Sequence, residues 1–169
     1  MERTEAVIEK TWREHGLAHL FVVRRRSDGS ADIGFFLVDV WCLGVKDAFS
    51  DADVPESELE AYIAERLPES GSERIHPACA KKLIEGAIAY AERLGIAPHR
   101  DFRKARRVLS GIDASLCPTD FTFGRDGRPC FVRGPHDSDE RVDRVLALLT
   151  ARCGEDGYDF EDDSAAEED

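Results

Sequence analysis

The chain has 169 residues, 42% apolar and 34% charged, enough to bury one core without staples and consistent with a single soluble α+β domain. A net charge of −12 disfavours a general nucleic-acid binder but leaves room for local basic patches. The absence of a charged-then-apolar leader, or of about 18 uninterrupted apolar residues, argues against export and membrane insertion and reads as cytoplasmic.

In chain order, residues 4–15 read as a helix carrying Ala6, Val7, Ile8 and Trp12, closed by Gly16. A hairpin follows, LAHLFVVRRR and ADIGFFLVDVWCLG about a two-residue Asp28-Gly29 loop. That register sets Arg25 against Asp32, Phe21 against Phe36 and Ala18 against Asp39, with both faces apolar. Residues 51–55 read as a loop, 56–67 as an amphipathic helix and 68–74 as a second loop. The clearest helix is 77–94, whose Ala80, Leu83, Ile84, Ala87, Ile88, Ala91 and Leu94 make one buried stripe between Pro77 and Gly95.

Residues 101–109 predict a short basic helix capped by Asp101. A second hairpin, TDFTFGR and RPCFVRG about Asp126-Gly127, would set Phe121 against Val132 and Phe123 against Cys130. A last helix runs to Cys153 from a cap at Asp137 or Ser138, with Val142, Val145, Leu146 and Leu149 inward. The fold expected is an antiparallel sheet of two hairpins packed with four to five helices, over residues 1–160. Residues 161–169 hold six acids and no base, leave −6 on the first 160 residues, and read as a disordered acidic tail.

The run GFFLVDVWCLGVKDAF at 34–49 holds the first candidate residue, because a carboxylate flanked by Leu37, Val38, Val40 and Trp41 is costly to bury. Asp39 is either a general base or metal-binding carboxylate with Lys46 as electrostatic partner, or a structural group held by loop amides or an arginine. Asp101 and Asp137, beside His99 and His136, could complete a metal-dependent hydrolase or nuclease site with Asp39. No ligand spacing is diagnostic, however, so neither a metal nor another cofactor is assigned. Cys42, Cys79, Cys117, Cys130 and Cys153 are odd in number and scattered, which predicts free buried thiols. Cys79, three residues after His76 at a helix start, is a weak nucleophile candidate.

Arg100, Arg103, Lys104, Arg106 and Arg107 crowd into eight residues. With Arg100, Lys104 and Arg107 on one helical face, they offer a phosphate-sized footprint, with His136 in a neighbouring candidate loop. The ordinary alternative is a solvated charged face, or a dock for the acidic tail.

VDVWCLGVKDAF, IEGAIAYAERLGIAPHRDF and GRDGRPCFVRGPHDSDERV together resemble a family of bacterial proteins with no established activity, over roughly residues 12–160 and including GEDGYDF. The resemblance implies that Asp39, Cys42, Gly44, Lys46, His99, Asp101, Gly134, Pro135 and Asp137 belong to one recurring scaffold, and it brings no catalytic role. The leading expectation is therefore a binding or adaptor module that engages a protein or nucleic acid through residues 100–107. Its oligomeric state is left open.

Overall fold

The computed structural model describes residues 2–163, and these form the α+β fold the sequence predicts. Strands β1 (Arg3–Glu9), β2 (Leu17–Arg25), β3 (Ser30–Asp39) and β4 (Gly44–Pro55) make an antiparallel meander, and β5 (Ser72–Ile75) adds beside β1 to give the order β4-β3-β2-β1-β5. Helix α1 (Trp12–His15) is a single turn between β1 and β2, and α2 (Glu56–Ala64) links β4 to β5 at opposite edges of the sheet.

Helix α2 covers one face, over Phe21, Ile33, Phe35 and Val54. The other face carries Leu20, Val22, Phe36 and Val38. It is covered by α3 (Pro77–Arg93), α4 (Phe102–Ala105) and the 3₁₀ turn Arg106–Leu109. A third cluster joins the Cys42–Leu43 turn to β6 (Cys130–Arg133) and α5 (Asp139–Cys153) through Leu94, Phe131, Val145 and Leu149.

Several expectations change in detail. Residues 3–9 form a strand, not the start of a helix, because β2 pairs on one side and β5 on the other. Ala6 and Ile8 point into the main core while Val7 packs on the opposite face, and tertiary pairing overrides helix propensity. The first hairpin sits one residue off the expected register: Arg25 faces Ala31, Phe21 faces Phe35, and Leu17 replaces Ala18 opposite Asp39. Gly29 alone takes positive φ there, and Arg26 N–H bonds Ser30 O at 2.8 Å, so the loop has three residues rather than two. Strand β4 also absorbs residues 51–55, and β5 begins within the expected second loop.

The second hairpin is reduced to its turn. Asp126 and Gly127 both have positive φ, and Arg125 and Arg128 exchange bonds of 2.7 and 3.1 Å. The arms then diverge, since Gly124 N–H donates to Val40 O and Cys130 N–H to Trp41 O. Strand β6 instead pairs in parallel with β7 (Asp159–Asp162), which includes Glu161 and Asp162 from the expected tail. The tail's last six residues, 164–169, lie outside the described residues.

Candidate functional site

The 34–49 run proves to be two strands joined by the turn at 40–43, and Asp39 closes that turn. Its Oδ1 accepts from Trp41 N–H at 3.0 Å and Cys42 N–H at 3.2 Å, and its Oδ2 from Leu43 N–H at 3.1 Å. Burial pushes this carboxyl up to about 6, against the downward pull of the three amides and Lys46. Of the two roles open to Asp39, the amide-held structural one is what the geometry displays. Burial also raises the Cys42 thiol, and lifts Cys130 to about 11 and the Tyr90 phenol to about 12, so none of the three ionises at neutral pH.

Lys46 and Asp137 do come together. Asp137 Oδ2 accepts from Lys46 Nζ at 3.2 Å and Gly134 N–H at 2.9 Å, while Oδ1 lies 3.3 Å from Arg141 Nε. Two cations and an amide thus hold a carboxylate whose side chain is only 4% exposed. Ser138, not Asp137, caps α5, its side chain accepting from Arg141 N–H. Asp101 is exposed and makes no side-chain cap to α4; its own N–H donates to His99 Nδ1 at 3.1 Å. His99 in turn hangs on β4, its N–H bonded to Val45 O at 2.9 Å and its Nε2 3.8 Å from Asp47. His136 is exposed in the loop before α5. Among the described residues, no group of three or more His, Cys, Asp or Glu side chains is arranged to hold a metal ion.

One buried carboxylate was not singled out from sequence. Glu9 Oε1 accepts from Thr11 N–H at 2.6 Å and Ser70 Oγ at 2.7 Å, tying two loops at one end of the sheet. Like Asp39, it is held by hydrogen bonds from neighbouring turns.

The expectation of five free thiols fails for one pair: Cys79 and Cys117 form a disulfide, with Cα atoms 4.9 Å apart. The link joins the first turn of α3 to the segment after the 3₁₀ turn Ala114–Leu116. It also removes Cys79 as a nucleophile. Cys42, Cys130 and Cys153 are free.

The basic segment lines a solvent-open cleft of about 1050 Å³ between α3 and residues 97–110. Arg100 precedes α4, which lasts one turn before the 3₁₀ turn that carries Arg106 and Arg107, so the single helical face expected of Arg100, Lys104 and Arg107 does not form. Arg100, Arg103, Arg106 and Arg107 line the cleft. Lys104 turns to a second, smaller cleft with Arg24, Arg26 and again Arg107. All five cations of the segment are exposed, and among the described residues none has an ion-pair partner. By contrast Arg25, Arg26, Arg125, Arg128, Arg133 and Arg141 each meet a carboxylate.

Apolar atoms of Ile88, Phe102 and Leu109 contribute to the cleft lining, and α3 supplies Lys81, Glu85 and Glu92. Phe102 is anchored edge-on against Phe36, with centroids 5.9 Å apart. Arg24 holds the segment in place by donating to Val108 O at 3.1 Å and to Ser110 O. The α3 wall was legible in principle: residues 81, 85, 88 and 92 recur at helical spacing beside the buried stripe.

Comparison with known proteins finds no matching family model, no matching curated protein and no matching solved structure. Among the described residues no helix is long and apolar enough to cross a membrane.

Proposed function

We propose that this chain is a binding module that engages an anionic partner, nucleic acid or acidic protein, on the basic wall formed by Arg100, Arg103, Arg106 and Arg107. The observation that carries this reading is the uncompensated charge. Five exposed cations sit within eight residues, beside a cleft, in a protein that is acidic overall and pairs many of its other arginines. Their mutual repulsion is relieved when an anion docks, and guanidinium forks suit phosphate and carboxylate oxygens. Lys104 lies outside this wall and would extend the footprint toward the second cleft.

The test is a panel of polyanions (an oligonucleotide, a sulfated polysaccharide and polyglutamate) titrated at low salt against the wild-type chain and Arg103→Glu/Arg107→Glu. At least one polyanion should bind the wild type, with affinity falling at least tenfold in the double variant. If no polyanion binds, or if charge reversal changes nothing, the reading is wrong.

A further inference from the structure

We infer that the partner taken by this cleft is a single-stranded nucleic acid whose bases carry exocyclic amino groups. The inference rests on the proposed anion-binding role and narrows it by the asymmetry of the cleft. One side presents Arg100, Arg103, Arg106 and Arg107, and the α3 side presents Glu85 and Glu92 together with Lys81. Among the described residues the ion-pair partner of Glu85 is Lys81, at 3.9 Å, and Lys81 Nζ also donates to Ile112 O, so the acidic wall keeps acceptor capacity.

An acidic peptide carries carboxylates along its length and would be drawn to one wall while being repelled by the other. A duplex presents phosphates on both sides of either groove and meets the same conflict. A single strand does not. Its phosphates can follow the arginines while its bases turn across the cleft, where carboxylates accept hydrogen bonds from the amino groups of cytosine or adenine. Uracil and thymine lack that amino group; their single N3–H donor lies between two carbonyl oxygens, which the glutamates repel. The lining between the walls suits bases as well. Ile88, Leu109 and the half-buried Phe102 supply apolar surface, and guanidinium planes stack on base faces.

Four arginines neutralising about four phosphates set the salt dependence, a slope of log K against log salt of about −3 for a single strand. The experiment measures fluorescence anisotropy for labelled oligo-dC, oligo-dA, oligo-dT, a mixed duplex and polyglutamate, with oligo-rC to compare backbones. Proteins are wild type, Arg103→Glu/Arg107→Glu and Glu85→Gln/Glu92→Gln. All four substituted positions are exposed, and circular dichroism checks that each variant folds.

The expected result is at least tenfold tighter binding of oligo-dC or oligo-rC than of oligo-dT, duplex or polyglutamate. The slope should be near −3 and shallower in the arginine variant. The glutamine variant should narrow the gap between oligo-dC and oligo-dT. Equal binding of oligo-dC and oligo-dT overturns the inference. So does preferred binding of duplex or polyglutamate through the same arginines, and in either case the broader anion-binding reading stands as long as the arginine variant binds at least tenfold more weakly. Failure of every polyanion overturns both.

Discussion

Trp41 lies against Gly16, and the contact explains why that position has no side chain. Gly16 ends α1 at φ +72°, and an ideal Cβ there would fall within the indole, 2.5 Å from Trp41 Cγ and nearer still to Cδ2. Gly16 O also accepts from Val40 N–H at 2.9 Å, so the α1 turn and the 40–43 turn are joined by a backbone bond and a ring contact. The Arg125 guanidinium lies 5.3 Å from the centre of the same indole.

Gly16→Ala should therefore be costly twice over. Left-handed backbone strain contributes about 1 kcal/mol, and displacement of a packed indole adds about 2 kcal/mol more. Urea unfolding measures the sum. A loss within about 0.5 kcal/mol, the range of ordinary surface substitutions, would show that the glycine and indole do not meet this way.

Asp39 implies a pH signature. Its folded-state value is raised, so the folded chain holds a proton that the unfolded chain releases between about pH 4 and pH 6. The neutral acid's stabilising contribution is thus complete below that window and lost as pH rises through it, by about 3 kcal/mol. Asp39→Asn has no proton to lose. The stability difference, wild type minus variant, should fall by about that amount between pH 4 and pH 7. A constant difference would show that the three amides hold Asp39 at an ordinary value.

Legibility from sequence follows how directly each pattern reports its environment. The α3 stripe was readable because Ala80, Leu83, Ile84, Ala87 and Ala91 are all buried on one helical face. Strand β1 was not, because burial on both faces erases the alternation that marks a strand. The Asp126-Gly127 turn was readable from its local chemistry. Its missing arms depend on where Gly124 and Cys130 donate, to carbonyls of the remote 40–41 segment.

That same segment hid the role of Asp39. A turn built from Val40, Trp41, Cys42 and Leu43 looks like more strand until the third cluster that buries Cys42 and Leu43 is known. The basic segment was visible as composition, but its cleft and the glutamates lining it needed the placement of α3.

Lys46 and Asp137 should show an asymmetric pair. Asp137→Ala strands Lys46, Arg141 and the Gly134 N–H at once, and should cost about 3 kcal/mol. Lys46→Met leaves Asp137 with Arg141 and the amide, and should cost about 1 kcal/mol. Denaturant unfolding of the single and double variants would yield a coupling energy, expected near 1 kcal/mol. Equal single costs with no coupling would place the stabilisation of this loop elsewhere.

The disulfide fastens the segment after residue 110 to α3, and it acts beside noncovalent ties of the same strap. Lys81 Nζ donates to Ile112 O at 2.7 Å and Lys82 Nζ to Thr119 O at 2.6 Å, while Phe121 packs edge-on to Trp12 with centroids 6.1 Å apart. Closing a loop across the 38-residue separation restricts the unfolded chain by about 4 kcal/mol in the chain-entropy model. Thiol counting in denaturant without reductant should find three free cysteines, Cys42, Cys130 and Cys153. Cys79→Ser/Cys117→Ser should then lose about 3 to 4 kcal/mol. Hydrogen exchange should rise first at 112–123, because that stretch keeps only side-chain ties to α3 once the covalent link is gone. Five reactive thiols would refute the bond itself. Three thiols with unchanged exchange at 112–123 would mean that the lysine and aromatic contacts already hold the strap, and that the disulfide acts on the unfolded chain alone.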